Sequence, residues 1–378
     1  MIYLIKYIAN FLLKILKTKY IKNYYGTDFE KTVLISYIIT QFRKQNNFMH
    51  QNYLTSHIIA ESFNELGFNV DIVDYDNEFT KIDYNKYDVV FGFGEPLENA
   101  FLTDNQAKKI FLVTGAHRYL QNTNCIKALN DFKELSELWR PSDSQVLNMY
   151  WPFSHECSDM VFILAAGYIK QDFASRFFGR LFTLNNTILG TFLNFEKKSI
   201  QNRNKNFLFL AGGKPINKGL SFICEIAKIR RDLSFIIVLR SLSKDLEDYY
   251  HDILYNSSNV EFYKNIPMNS DAMKNIIKRS TYVVLPSYSD GMPGSIIEPM
   301  SCGIIPIVSK YCGFPNKDFI FEIDELNLSS INSKIDEVIN LSDNQYLDFS
   351  HKCKDYILEE YSYEYVKKQL KTILAKEI

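Results

Sequence analysis

The sequence has no CxxC pair and no cysteine–histidine ligand spacing; its six cysteines (Cys125, Cys157, Cys224, Cys302, Cys312 and Cys353) are scattered. That argues against a zinc ribbon or a disulfide framework and reads as reduced, mostly buried thiols of a cytosolic protein. An excess of one charge sign is also missing. Lys and Arg number 43 against 44 Asp and Glu, a formal net charge of −1, so the sequence-independent pull of a basic protein on nucleic acid is not expected. No apolar run reaches the roughly 18–20 residues of a membrane-spanning helix, and no low-complexity tract or short-period repeat occurs. What is present is ordinary for a soluble globular chain: 46% hydrophobic and 23% charged residues in a length of 378, too long for one core and suited to two. Aromatic side chains make up 15%, but they are spread through every segment and mark no site.

Residues 1–26 form a basic amphipathic N-terminal segment. Within 1–22 stand Lys6, Lys14, Lys17, Lys19 and Lys22 and no acid. No small-residue cleavage site follows the apolar stretch, which argues against a cleaved signal peptide. Wound as a helix, the segment suits an anionic inner leaflet, each lysine near the surface contributing ~1 kcal/mol; a helix packed on the first domain is the equal alternative. The first of these makes the protein cytoplasmic and peripheral on the inner membrane face.

Beyond it, short apolar runs alternate with helix-like stretches, the pattern of βαβ units. Strands are predicted over 33–39, 69–73, 88–91, 110–113, 161–164 and 181–184, with a helix over 54–66 ending on Gly67. The polar stretch 196–206 (EKKSIQNRNKN) reads as a linker. A second series follows, with strands over 207–211, 234–239, 260–262, 282–285 and 305–308 and helices over 219–229, 244–254, 270–278 and 294–302. Two series of doubly covered parallel strands imply an α/β protein of two facing Rossmann-like, doubly wound domains with a cleft between them. The expected division is a first domain over 27–195, a second over 196–360, and a C-terminal helix over 361–378. Ligands of such pairs sit at the carboxyl ends of the strands.

Two loops carry the chemistry. The segment 286–303 leaves a strand and opens a helix; Gly291 and Gly294 let backbone approach a ligand, and amides at a helix start favour anionic or hydroxyl oxygens. Asp290 stands at the strand end and Glu298 eight positions later on the helix, two acceptors suited to a sugar at one end and a ribose at the other. A capped strand–helix turn with a solvated Asp is the bland alternative. The segment 207–220 runs from a strand into the Gly212–Gly213 pair, a loop with Lys214 and Lys218, and a helix: flexible backbone, a helix N-terminus and two cations suit a diphosphate.

DGMPGSIIEPMSCGIIPIVS resembles the E-x7-E signature of the retaining GT-B-fold glycosyltransferases of family 4, the glycosyl transferases group 1 domain. Asp290 takes the first acidic position and Glu298 the second, and Met300, Cys302 and Gly303 match the tail. The resemblance implies that Asp290, Gly291 and Met292 hold the donor sugar and that Glu298 holds the nucleotide ribose, with Pro293 and Gly294 completing the donor-binding turn. Lys218-Gly219 resembles the end of the family's G-R-x4-K-G segment, which neutralises the departing diphosphate. The arginine position falls on Gly213, and Lys214 is the neighbouring point charge. Asp290, Lys218 and a histidine after a first-domain strand, His117, are the implied catalytic residues; Glu95 and Arg118 are acceptor-side candidates, each of which could equally be an exposed surface charge. The family's Gly-Gly loop after the first strand is absent, and Met49, His50 and Gln51 stand in its place.

The implied activity is metal-independent, retaining transfer of a sugar from a nucleotide-sugar to a glycan or lipid-linked acceptor in cell-surface polysaccharide synthesis, with no cofactor, no bound metal and no nucleic acid partner. No DxD stands at a strand end near these motifs, and Asp71, Asp74 and Asp76 lie far from them. A catalytically silent GT-B protein that binds a nucleotide-sugar or a partner in an assembly complex is the second possibility, favoured by the missing arginine. A GT-B phosphorylase or epimerase is a third, which no residue favours.

Overall fold

The computed structural model describes residues 20–43, 50–78, 80–147 and 151–378; most of the basic N-terminal segment, and Met49, lie outside them. Twelve strands among these residues form two six-stranded sheets. In the first, β1 (Lys31–Tyr37), β2 (Phe68–Asp74), β3 (Val89–Gly92), β4 (Lys108–Val113), β5 (Met160–Ile163) and β6 (Arg180–Thr183) lie in the order β2-β1-β3-β4-β5-β6. In the second, β7 (Asn206–Ala211), β8 (Ser234–Leu239), β9 (Val260–Lys264), β10 (Tyr282–Leu285), β11 (Ile305–Ser309) and β12 (Phe321–Ile323) lie in the order β12-β11-β10-β7-β8-β9. Every neighbouring pair is parallel.

Parallel strands need apolar residues on both faces, because helices cover both. β1 shows how the sequence supplies them. Val33, Ile35 and Tyr37 belong to one core and Leu34 to the core on the other face, the two-residue period of a strand. The helices that bear on the site are α1 (Gln51–Glu65), α2 (Arg118–Ser136), α3 (Leu220–Ile229), α4 (Gly294–Ser301) and α5 (Tyr363–Glu377). In α5, Val366, Leu370 and Leu374 recur every four residues and complete the core beneath the first sheet. Lys367 reaches Glu61 and Glu65 of α1 at 3.2 Å each. The C-terminal helix is therefore fastened to the first sheet, although the chain has by then passed through the second.

Two local expectations differ from what forms, and one is refined by it. The helix expected over 244–254 breaks at Tyr250 into Lys244–Tyr249 and His251–Tyr255, where the Tyr250 ring is drawn into the core against Phe132 of α2. The polar stretch 196–206 is the expected linker between the two sheets, but it is anchored rather than free. Lys198 is buried and donates to the carbonyls of Ile277, Lys278 and Ser280 at 3.2, 2.9 and 2.9 Å. It thereby caps the end of the helix Asp271–Arg279, and burial pushes its ammonium down to about 8. Residues 20–24, expected to share the helix of the N-terminal segment, instead run along the edge strand β2, with Ile21 bridging Ile72 antiparallel. No helix among the described residues is long and apolar enough to cross a membrane.

The strand orders fix where a ligand belongs. In the second sheet the order reverses between β7 and β10, so the loops leaving these two strands diverge and open a crevice. In the first sheet the reversal falls between β1 and β3. Helix α2 joins the halves: its Ala128, Leu129 and Phe132 are part of the core of the second domain.

Candidate functional site

The loops after β7 and β10 are laced together by Asn217. This fully buried side chain donates to the Ser289 carbonyl at 3.0 Å and accepts from the Cys125 thiol of α2 at 2.9 Å. Its own carbonyl takes the Tyr288 amide at 2.9 Å. With Asn217 held, the next residue has one course. Lys218 points across the crevice and its ammonium pairs with Asp290 Oδ2. The pair sits 72 positions apart in sequence and only partly exposed, at 14% and 16%. Asp290 is fixed from behind as well, its amide donating to the Tyr311 carbonyl at 2.9 Å and its Oδ1 accepting from the Gly291 amide at 3.1 Å.

The turn that delivers Lys218 depends on Gly219, which has a φ of +81° and precedes α3. A Cβ there would meet the Pro286 carbonyl oxygen at 2.3 Å. Gly219→Ala is expected to cost about 2 kcal/mol or more of stability, from left-handed strain plus this contact, read as a lower urea midpoint.

The first domain closes over the β10 loop. Asn124 of α2 donates to the Tyr288 carbonyl at 2.7 Å, and Gln121 accepts from the Ser289 hydroxyl. A Cβ on Gly291 would lie 2.9 Å from Gly115 Cα, so the two backbones touch at the start of the glycine-rich turn. Met292 is buried with a φ of +23°. Its carbonyl accepts from Asn186 at 3.3 Å and its sulfur from the Tyr361 hydroxyl at 3.1 Å, so the chain crossings between the domains hold this turn. Pro293 precedes α4 as its N-cap, and Gly294 begins the helix.

Glu298 lies within α4 at 2% exposure. Burial raises its carboxyl to about 8, only partly offset by a hydrogen bond from the Leu189 backbone. Its side-chain partner comes from the other domain: Gln51 Nε2, at the start of α1, donates to Glu298 Oε1 at 2.6 Å. Lys218 and Asp290 thus meet between the loops after β7 and β10, and Glu298, eight residues further on in α4, has a first-domain residue against it.

The remaining predicted residues are placed as follows. Gly212 and Gly213 follow β7 and leave open space, a Cβ on Gly213 lying no nearer than 3.8 Å to Ser241 Oγ. The Lys214 ammonium is turned to the Ser142 carbonyl of the first domain at 2.7 Å. Glu95 accepts from the Trp151 indole at 3.0 Å, and Arg118 pairs with Glu156 at 3.1 Å. His117 has no accessible surface and N-caps α2, its Nδ1 accepting from the Tyr119 amide at 3.4 Å. Its ring packs against Tyr119, His155 and Phe173, and burial, with the Arg176 charge nearby, pushes it down to about 4, so it is neutral. The imidazole is enclosed by the first domain's own side chains rather than by the Asp290 loop.

Gln51 was noted in the sequence only as standing where a glycine pair was expected, and one further residue was missed. Arg240 follows β8 beside the Gly213 loop and is exposed; its charge, after burial, helps depress His50 at the N-cap of α1. A cation at a strand's carboxyl end is a signal that could have found it. Among the described residues no three His, Cys, Asp or Glu side chains converge as metal ligands.

Residues 192–355 match the family model described as glycosyl transferases group 1. No curated protein sequence matches the chain. Among solved structures, sucrose-phosphate synthase from Thermosynechococcus elongatus is 11% identical with a TM-score of 0.63 over 92% of this chain and 99% of that one. HepE from Anabaena, solved with UDP and glucose, is 12% identical with a TM-score of 0.56 over 92% and 99%. TarM from S. aureus, solved with fondaparinux, α-GlcNAc-glycerol and UDP, is 16% identical with a TM-score of 0.51. That match covers 75% of this chain and 54% of TarM, so the chain spans about half of TarM's length. The architecture is therefore the two-domain α/β fold of GT-B glycosyltransferases, and the family match falls on the half that carries Lys218, Asp290 and Glu298.

Proposed function

We propose that this protein transfers a sugar from a nucleotide-sugar donor to a glycan or lipid-linked acceptor, with retention at the anomeric carbon. The observation that carries the proposal is the Lys218–Asp290 pair between the loops after β7 and β10, at the switch point of the second sheet, with Glu298 following on the same strand–turn–helix. Glu298 offers its carboxyl oxygens to ribose hydroxyls, Asp290 orients the donor sugar, and Lys218 beside Asp290 meets the charge of the departing diphosphate. Lys214 and the amides at the starts of α3 and α4 add to that field, an electrostatic stabilisation of the leaving group that needs no protein nucleophile. UDP-bound relatives of the same fold support a nucleoside diphosphate donor. A basic, acid-free stretch over 1–22 supports work at the cytoplasmic membrane surface, on a lipid-linked glycan of a cell-surface polysaccharide.

The bare Gly213 favours a second reading, a silent protein that binds a nucleotide-sugar without turning it over, because no guanidinium grips the diphosphate from that position. One experiment separates the two. Purified protein is incubated with a panel of uridine, guanosine, adenosine and cytidine nucleotide-sugars, and nucleotide release and binding are both measured. Slow release from one donor, abolished with binding by Glu298→Ala, is the expected result. Binding that Glu298→Ala abolishes, without release from any donor, would establish the silent protein instead.

A further inference from the structure

The place assigned to the ribose is filled by a protein side chain. The Gln51 carboxamide lies flat on the first residue of α4: a Cβ on Gly294 would stand 1.9 Å from Gln51 Nε2, 2.2 Å from Oε1 and 2.4 Å from Cδ. The same amide donates to Glu298 Oε1 at 2.6 Å. One side chain thus covers both groups that a ribose and its phosphate would use, the buried carboxyl and the bare backbone at the helix start. Its N–H takes the part a ribose hydroxyl would take. Gln51 is itself buried at 6% exposure and sits in the first turn of α1, whose N-cap is His50. It is carried by one domain and bonded to the other.

Resting on the donor-site assignment above, we propose that Gln51 gates the donor site, holding the two domains together over Glu298 until a nucleotide displaces its carboxamide. Gln51 and the ribose then compete for the same oxygen. The apparent nucleotide affinity is the intrinsic affinity reduced by the fraction of molecules in which Gln51 is withdrawn. Removing the amide removes that reduction. The side chain acts on the donor by yielding to it, so its loss should tighten binding, whereas loss of a residue that grips the donor should weaken it.

The test is calorimetric titration of the full chain with UDP, GDP, ADP and CDP, using Gln51→Ala and Gln51→Asn beside the parent. The asparagine variant keeps the amide but shortens its reach by one methylene, and covers the case in which alanine impairs folding. Both variants are expected to bind the preferred nucleotide about tenfold more tightly, and the donor KM should fall in parallel while kcat does not rise. A purely structural role for Gln51 would lower thermal stability without moving that KM. Unchanged or weaker binding by both variants, with the parent binding normally, would overturn the gate and leave the donor site standing. Absence of binding by parent and variants alike would overturn the donor site, and the gate with it.

Discussion

At pH 8.5 the Glu298→Gln variant is expected to resist urea markedly better than the parent protein, and near pH 4.5 the two should match. The carboxyl is buried among apolar groups, and its ionisation is displaced from the ordinary 4.5 to about 8. Below pH 4.5 it is protonated in folded and unfolded chains alike, so its contribution to stability is fully present there. Between 4.5 and 8 the unfolded chain releases this proton while the folded chain retains it, and stability falls steadily as pH rises. Above about 8 both states are ionised and the loss is complete. At 1.36 kcal/mol per unit of displacement, the loss is on the order of a few kcal/mol. Glutamine fills the same volume, keeps an oxygen for Gln51 and does not titrate. The difference between the two proteins should therefore widen from pH 4.5 to 8 and then level off. Parallel pH profiles of the urea midpoint would show that Glu298 ionises as a surface carboxylate does, contrary to its burial. The expected gain in stability has a functional counterpart, because hydrogen bonds from ribose hydroxyls would favour the ionised carboxylate that burial disfavours. Glutamine should forfeit nucleotide affinity for the same reason that it adds stability.

How much of this was legible in the sequence differs between the frame and the site. The strands of both sheets were visible because each is a run of apolar residues buried on two faces, as β1 and β7 are. β12 escaped because only three residues, Phe321-Glu322-Ile323, form it, and Glu322 faces outward. Composition found the linker over 196–206, but a polar stretch does not disclose that Lys198 finds three carbonyls to bond. At the site, the spacing of Asp290 and Glu298 was readable because both lie on one strand–turn–helix. The Lys218–Asp290 pair required the strand order, which sets β7 beside β10 across 72 positions. Gln51 on Glu298 spans 247 positions and two domains, and no local pattern announces such a contact. His117 was readable as a residue just past β4 but not as an enclosed helix cap, because burial of its ring is decided by Phe173 and His155, far along the chain.

Replacing Lys218 with alanine is expected to reduce kcat for the preferred donor by about 10²–10³-fold while changing stability by no more than about 1 kcal/mol. The two magnitudes separate catalysis from structure. As a structural ion pair, Lys218–Asp290 contributes little: both partners retain some contact with water, at 14% and 16% exposure, and a screened pair of this kind gains modest Coulomb energy against the entropy of holding a long side chain. As part of the donor site, the same ammonium faces a charge that grows as the sugar–phosphate bond breaks. A fixed cation there is worth far more in the transition state than in the resting pair. Gly213 sharpens this dependence, because the loop after β7 offers no guanidinium to share the load; the Lys214 ammonium rests on the Ser142 carbonyl. Lys218→Arg should recover part of the rate, since it keeps the charge at similar reach, and Lys218→Met should not, since it keeps only the stem. Asp290→Asn tests the other half of the pair. It should raise the donor KM and lower kcat together, by loss of a hydroxyl acceptor and of the anchor that aims Lys218. If Lys218→Ala instead lowers the urea midpoint substantially and leaves kcat within about threefold of the parent, the ammonium serves the closed fold and the leaving group is stabilised elsewhere, with Arg240 at the end of β8 as the next cation to replace.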